Sequence, residues 1–273
     1  MVRENTRPGA AEQAAPGFLR LAVRVPASAR GNTVPGERIF SLQGGWRLLG
    51  AITYDSGGAG RPRRIERYGL PLLEVTLRPG GWRERGRVRA AARRLGRQGI
   101  VRVLAPTEFP HWDLLEARGL RRVDPLPFLR FYAGELVLAA LLREGVAPQR
   151  GTVALRGRRV DRDMVRAAEF LCPRVRELAV SARQGGEELS AWLRREYGMP
   201  VRPDGEGITA AVRFDETAPG GGGRELSLYG GAPRLAGVRP RAADLAEGDQ
   251  EDLPLLAALW ETGRLEDLGL EFT

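Results

Sequence analysis

Four residues at the ends of two apolar runs could contact a phosphate group: Gly157, Arg158, Arg159 and Arg183. The first run is Thr152–Leu155 and the second is Val175–Val180, and both are predicted to be buried strands. Guanidinium groups bind phosphate through paired, charge-assisted hydrogen bonds. Because the carboxyl ends of parallel strands meet at one edge of a sheet, these four residues are the candidate phosphate contacts of the chain.

Nucleophilic and metal chemistry have little support in the residue types. His111 is the single histidine, and no Gly-x-Ser-x-Gly turn accompanies it, so the sequence does not indicate a Ser-His-Asp triad. We expect His111 to begin a helix with ordinary hydrogen bonds. Cys172, the single cysteine, is expected to be a buried and unreactive thiol. A zinc site needs several Cys or His ligands, so we predict no catalytic residue and no metal site.

The second half of the chain alternates strands with short helices, which is typical of a parallel sheet. Residues 125–273 are therefore predicted to form a Rossmann-like parallel βαβ domain with a C-terminal helix that begins at Asp252. Further expected elements are helices Asp161–Leu171 and Glu187–Tyr197 and strands Ile208–Phe214 and Glu225–Tyr229. The second of these helices is expected to turn Leu189, Trp192, Leu193 and Tyr197 inward. Residues 231–251 are interpreted as a surface linker.

The element order from Phe128 to Phe214 resembles the cofactor domain of shikimate-dehydrogenase-like Rossmann proteins. The matching stretches are Leu141-Leu142-Arg143-Glu144-Gly145, Val153-Ala154-Leu155-Arg156-Gly157, Val175-Arg176-Glu177-Leu178-Ala179-Val180 and Glu187-Glu188-Leu189. The resemblance implies a dinucleotide-binding fold over about a third of the chain, but it lies in the pattern of elements and not in a motif.

The turn after the first strand departs from the dinucleotide pattern. A working turn needs three glycines, so that backbone amides reach the pyrophosphate, whereas Arg156–Asp163 has only Gly157. The second strand ends at Val180-Ser181-Ala182-Arg183, without the acid that would hold a ribose hydroxyl. We therefore predict no bound cofactor. The alternative is NADP, whose 2′-phosphate Arg183 could accept.

The first part of the chain is predicted to be a separate α/β module. Residues 1–17 are expected to be a disordered tail, and residues 18–124 an antiparallel β-meander with helices. The expected meander strands are Phe18–Val25, Arg38–Tyr54 and Arg64–Arg78, with the last two paired across the turn Asp55–Gly60.

The positive charge is concentrated in the first 100 residues. The formal net charge is +9, and all 43 basic residues are arginine, a bias that suggests a GC-rich, bacterial genome. The helix Trp82–Gln98 is expected to bury Val88, Ala91, Ala92 and Leu95 and to expose its arginines. Its Arg83–Arg97 face predicts a weak, sequence-independent contact with nucleic acid.

The sequence predicts a cytoplasmic protein without membrane insertion. The segment Met1–Asn5 lacks the apolar run of a signal peptide, and a single cysteine excludes an internal disulfide. The most apolar stretch, Pro125–Leu142, contains Arg130 and Glu135 and is interpreted as a buried core helix.

Three functions remain open at this point. The leading hypothesis is a non-catalytic protein that uses a degenerate dinucleotide fold as a scaffold for partner contacts, and it predicts no pocket above the first strand-to-helix turn. The second is an NADP-linked oxidoreductase with an unusual phosphate loop, which predicts a cleft there facing Arg158 or Arg183. The third is a basic accessory protein that binds nucleic acid.

Overall fold

A computed structural model of the chain describes residues 23–24, 48–58, 60–218 and 221–273. The predicted tail 1–17, most of the predicted strand Phe18–Val25 and the first part of the predicted strand Arg38–Tyr54 lie outside the described residues.

The described elements alternate as an α/β fold requires. The strands are β1 (Val23–Arg24), β2 (Leu49–Tyr54), β3 (Pro62–Arg67), β4 (Leu70–Leu77), β5 (Arg102–Leu104), β6 (Arg121–Arg122), β7 (Thr152–Arg159), β8 (Glu177–Gln184), β9 (Val201–Arg202), β10 (Ala210–Arg213), β11 (Arg224–Ser227), β12 (Pro240–Ala242) and β13 (Leu270–Phe272). The helices are α1 (Glu84–Arg97), α2 (Trp112–Glu116), α3 (Leu126–Phe131), α4 (Ala133–Arg143), α5 (Arg162–Leu171), α6 (Gly186–Tyr197) and α7 (Leu253–Glu261).

The first sheet has the strand order β3-β4-β2-β5-β6, and its antiparallel part is the hairpin β3-β4. The predicted pairing across Asp55–Gly60 is wrong, because β2 pairs with β4 in parallel and β3 lies at the sheet edge. A turn sequence predicts a change of chain direction but not which strand the returning chain joins. The hairpin that does form turns at Tyr68 and Gly69, both with positive φ.

Helix α1 packs as its sequence pattern predicts. Its buried residues are Val88, Ala91, Ala92 and Leu95, which share a core with the inward side chains of β2, β4 and β5. The opposite face of this sheet packs on a second, larger core that also contains the inward faces of α3 to α7.

The apolar stretch Pro125–Leu142 forms two helices rather than one. Helices α3 and α4 meet at Tyr132, and nearly all of α4 is buried. Among the described residues, no helix is long and apolar enough to cross a membrane.

The second sheet is parallel throughout, in the order β11-β10-β7-β8-β9. Numbered from its own first strand and read from β9, this order is 3-2-1-4-5, the order of the Rossmann-like fold. Ligands of such sheets bind outside the carboxyl ends of the strands, near the point between β7 and β10 where the order reverses.

One face of this second sheet has no helical layer among the described residues. Helices α5 and α6 bury their apolar sides in the large core, on the face that carries Val153 and Leu155. The other face carries a small cluster of strand and loop residues without a helical member: Ala154, Ala179, Ile208 and Ala211. The connections from β9 to β10 and from β10 to β11 are loops, so this face is covered by loop backbone and polar side chains.

Two further predictions about the second half are corrected. Residues 231–251 are not simply a surface linker, because they contain β12 and the buried side chains of Val238, Leu245 and Asp249. Asp249 is held by Arg67 and by the hydroxyl of Tyr68, which donates a 2.6 Å hydrogen bond. Tyr197 is not inward but 46% exposed, and its ring contacts that of Trp192.

A partly buried carboxyl group lies on α4, beside α5. Burial raises the pKa of Glu135 to about 7, against the lowering effect of Arg174 and Arg166 on α5. The folded protein therefore holds a proton on Glu135 between about pH 4.5 and 7 that the unfolded chain releases, so this group makes folding less favourable as the pH rises through that window.

We predict that Leu95→Ala lowers the unfolding free energy by about 2–5 kcal/mol, because the side chain is fully buried. Arg93→Ala, on the exposed side of the same helix, is the matched control and changes it by only tenths. Urea denaturation measures both. A larger loss for the arginine variant would show that the helix faces the other way.

We also predict that Glu135→Gln stabilises the protein at pH 8 by about 1–3 kcal/mol and has little effect near pH 5, because glutamine never ionises. Denaturation at the two pH values measures the difference, with the exposed Glu116→Gln as control. An effect of Glu135→Gln that is equal at both pH values would contradict the burial of this carboxyl group.

Candidate functional site

A cleft of about 750 Å³ lies at the carboxyl ends of β7 and β8. Its walls come from the ends of these strands, the first two turns and a half of α6, β9 and the loop after β10. The lining residues are Gly157, Arg158, Val180, Ser181, Ala182, Arg183, Gly186, Glu187, Ser190, Arg194, Val201, Arg202, Pro203 and Thr217. The lining contains four arginines and a single acidic residue, Glu187, so its net charge is positive.

The cleft is open because β9 is short. β9 pairs only with Leu178 and Ala179, so that β8 continues toward Gln184 without a neighbour on that side. Helix α6 then begins at Gly186, after Gly185 with φ +80°. The second half of β8, from Val180 to Arg183, therefore lines the cleft where a longer β9 would have paired with it.

Three of the four predicted site residues line this cleft, and Arg159 does not. Gly157 and Arg158 lie at the end of β7, and Arg183 at the end of β8. A Cβ atom at Gly157 would lie 2.8 Å from Cε of Met164, so glycine allows α5 to pack close to the strand. Arg159 is exposed and pairs in register with Gln184.

The expected phosphate loop Arg156–Asp163 is corrected by the structure. β7 continues to Arg159, and only Val160 and Asp161 separate it from α5. The N-terminus of α5 is already capped, since Oδ1 of Asp161 accepts a 2.9 Å hydrogen bond from the amide of Met164. Asp163 lies in the same turn, and burial, with Asp161 beside it, raises its pKa. A pyrophosphate bound there would meet two carboxylates.

The arginines of the cleft differ in how they are held. Among the described residues, Arg158 and Arg183 have neither a carboxylate within ion-pair distance nor a hydrogen-bond acceptor. Arg194 donates to the carbonyl oxygen of Val201 at 2.9 Å. Arg202 donates to the carbonyl oxygen of Glu206 at 3.1 Å and lies 3.8 Å from the carboxylate of Glu177. Two guanidinium groups are thus available to a ligand, and two are held at the wall.

The sequence did not indicate the rest of the lining. Ser190, Arg194 and Arg202 carry no motif, and each lies on an element that periodicity alone assigns to packing or to a loop. Thr217 comes from a loop more than thirty residues beyond Arg183. Only the order of the strands, which the resemblance predicted, could have brought them together.

Arg156 is completely buried on the helix-free face of the second sheet, and its guanidinium group is fully paired. Nε and Nη2 donate to the carboxylate of Asp204 at 2.8 and 2.9 Å, and Nη1 donates to Glu225 at 2.9 Å. These hydrogen bonds, with that to Asp204 the largest contribution, raise the pKa of Arg156 above its ordinary value. The sequence predicts a turn at Arg156, whereas the residue lies within β7.

Three glycines before β11, Gly221 to Gly223, lie in the connection beside this buried group. This connection joins two parallel strands, β10 and β11, and the carbonyl oxygen of Gly222 accepts a 3.3 Å hydrogen bond from Arg156. A Cβ atom at Gly221 would overlap the Arg156 guanidinium, and one at Gly223, where φ is +91°, would lie 2.7 Å from the carbonyl oxygen of Ile208. The glycines therefore let the crossover pass directly over the sheet.

His111 belongs to a second polar cluster, at the carboxyl end of the first sheet. It precedes α2, as expected, and its Nε2 lies 3.3 Å from Oε1 of Glu84, which also accepts a 2.9 Å hydrogen bond from Tyr54. That hydrogen bond is the main cause of the lowered pKa of Glu84, and burial, with Glu84 beside it, raises the pKa of Tyr54 to about 12. The Nδ1 atom of His111 is buried without a partner among the described residues.

Cys172 is buried, and burial raises its thiol pKa to about 11, so the thiolate is scarce at neutral pH. Within the described part of the chain, no group of three or more Cys, His, Asp or Glu side chains is arranged to hold a metal ion.

Comparisons with known proteins give little beyond this geometry. No family model matches the chain, and no curated protein matches it. A solved shikimate 5-dehydrogenase-like protein is similar to 62% of this chain, with 11% identity and a TM-score of 0.23. The similarity covers 66% of that protein, just under two thirds. It is too weak to support any functional conclusion, and the description of the fold rests on the strand order.

We predict that Arg156→Met lowers the unfolding free energy by about 2–4 kcal/mol. Breaking a buried ion pair leaves carboxylates unpaired, and the loss is limited because Asp204 and Glu225 are 16% and 23% exposed. Chemical denaturation measures it, with Arg159→Ala at the exposed end of the same strand as control. Adding Asp204→Asn and Glu225→Gln should recover part of the loss; no recovery would contradict this account.

Proposed function

We propose that the protein binds a small phosphate-bearing ligand of the nucleotide class in the cleft beside β8. The observation that carries the proposal is the pair Arg158 and Arg183, two arginines that form no ion pair or hydrogen bond with a described residue and that line a cleft at the carboxyl ends of a parallel sheet. Such ends are where α/β sheets bind ligands, and guanidinium groups bind phosphate bidentately.

The size of the cleft supports a small molecule. A volume of about 750 Å³ lies within the range of ligand pockets, roughly 300–1,000 Å³. The lining also includes the apolar side chains of Val180, Val201 and Pro203 and the polar residues Ser190 and Thr217. Such a lining suits a ligand with an apolar ring and a charged end.

The proposed mode of binding differs from that of a dinucleotide domain. The N-terminus of α5, where a pyrophosphate would bind, is capped by Asp161 and followed by Asp163. The phosphate contacts therefore come from side chains at the ends of β7 and β8 and not from the backbone of a glycine turn. The scaffold hypothesis predicted no pocket at this place, so the cleft favours a ligand-binding function over a scaffold.

The mechanism of binding follows from charge. Arg158 and Arg183 would hold the phosphate group from two sides, while Arg194 and Arg202, fixed at the wall, add positive potential. A phosphomonoester carries more charge than a diester and offers more free oxygens. A ligand with a terminal or 2′-phosphate should therefore bind more tightly than the same ligand without it.

We predict that NADP binds at least tenfold more tightly than NAD, and adenosine 2′-monophosphate more tightly than adenosine, in isothermal titration calorimetry. The double variant Arg158→Ala with Arg183→Ala should lose this preference. Arg159→Ala, which removes one positive charge at the end of the same strand but outside the cleft, is the control and should keep it.

Equal affinity for each pair of ligands, or a preference that survives in the double variant, would contradict the proposal. Loss of the preference in Arg159→Ala as well would show a general effect of net charge and would equally refute a site built by Arg158 and Arg183.

A further inference from the structure

We propose that the outward side of α1, with the tryptophan that precedes it, binds single-stranded nucleic acid. This surface, called the basic face, consists of Trp82, Arg83, Arg89, Arg93 and Arg97. It belongs to the first sheet and is independent of the cleft beside β8. The occupant is a flexible polyanion with exposed bases, for the reasons that follow.

Trp82 is exposed to an unusual degree. Its relative exposure is 87%, the largest among the exposed large apolar side chains of the described residues. The guanidinium carbon of Arg83 lies 4.4 Å from the centre of its ring, so a cation already covers part of one side. A single exposed apolar side chain is ordinary on a protein surface, and Trp82 is notable because it lies beside a row of arginines. Every nucleic acid base can stack on such a ring.

The arginines continue from Trp82 along one line of the helix. Arg89, Arg93 and Arg97 are four residues apart, so they form an exposed stripe about 12 Å long, opposite the buried residues of α1. Among the described residues, none of the three has a carboxylate partner. Repulsion along this stripe is relieved when phosphate groups lie beside it.

Helix α1 itself adds no negative charge to the basic face. Glu84, the one acid of α1, points toward Tyr54 and His111. Arg85, one turn before Arg89 on the same line, pairs with Asp113 at 3.0 Å, so the part of the stripe without a carboxylate partner begins at Arg89. The edge strand β3 places Arg64 and Glu66 on this side of the sheet, since Arg64 pairs with Leu73, whose side chain belongs to the core beneath α1.

Aromatic and basic residues in this arrangement fit a single strand better than a duplex. Stacking on Trp82 requires an unpaired base, and the stripe follows a backbone without reading base edges. Binding is therefore expected to be weak, independent of sequence and sensitive to salt, and to prefer a strand that carries bases over one that carries only phosphates.

The test uses the full chain and a fluorescently labelled deoxythymidine oligomer of about 15 nucleotides, read by fluorescence anisotropy. Binding should be measurable near ~50 mM salt and largely lost by ~200 mM. Trp82→Ala should weaken it about tenfold, whereas Trp82→Phe, which keeps an aromatic ring, should retain most of it. An abasic oligomer should bind the native chain about as weakly as the normal oligomer binds Trp82→Ala.

The arginines are tested separately. Replacing Arg89, Arg93 and Arg97 with alanine should reduce the slope of log affinity against log salt by about 2. Tyr197→Ala removes an exposed aromatic ring from α6 and is the control for Trp82→Ala. Trp82→Ala should leave the preference of the cleft for NADP over NAD unchanged, so this surface and the cleft can fail independently.

Three results would overturn the proposal. The first is an affinity unaffected by Trp82→Ala, and the second is equal binding of the normal and the abasic oligomer. The third is Trp82-dependent binding to phosphatidylserine vesicles without binding to the oligomer, which would make the face a membrane-surface contact instead.

Discussion

The arrangement of the second sheet depends on the burial of one charge, that of Arg156. A guanidinium group cannot release its proton at any pH a protein meets, so it must be neutralised where it lies. The chain supplies Asp204 from the connection between β9 and β10 and Glu225 from β11. The pair with Asp204 draws the connection from β9 to β10 over the sheet face, and the hydrogen bond from Arg156 to the carbonyl oxygen of Gly222 holds the connection from β10 to β11 there as well.

The same constraint shapes the cleft. Asp204 follows Arg202 and Pro203, which form one wall, so its bidentate pair with Arg156 holds that wall against the sheet. Arg158 lies two residues beyond Arg156, and side chains two apart on a strand point to the same face. The buried arginine and the available one are therefore neighbours on one strand, one neutralised by the chain and the other open to an anion.

The sequence predicts elements whose pattern repeats and misses contacts that depend on partners distant along the chain. The inward faces of α1 and α5 are visible in the spacing of Leu95 and Met164 with their neighbours, because helical periodicity is local. The burial of Arg156, in contrast, is not visible locally. An arginine after an apolar run indicates a turn, and its burial is possible only because Asp204 and Glu225, which are distant along the chain, pair with it. Gly157, Arg158 and Arg183 could be predicted as candidates because strand ends are local features. The cleft itself could not, since the shortness of β9 leaves no sequence signal.

A phosphate site built from side chains differs from one built from a glycine turn in how far its binding groups are ordered before the ligand arrives. Backbone amides at a helix N-terminus are fixed by the helix and bind a phosphate of any ligand that reaches them. Arginine side chains must instead be ordered when the ligand arrives, at the expense of rotamer freedom. The hydrogen bonds from Arg194 and Arg202 to carbonyl oxygens already order these two side chains, so they lose less rotamer freedom when a ligand binds. Most of the loss of rotamer freedom on binding therefore comes from Arg158 and Arg183. Their hydrogen bonds to the ligand must offset it, so affinity should increase with the number of phosphate oxygens that the ligand offers. The charge of a ligand, rather than its shape, should then decide which ligand binds.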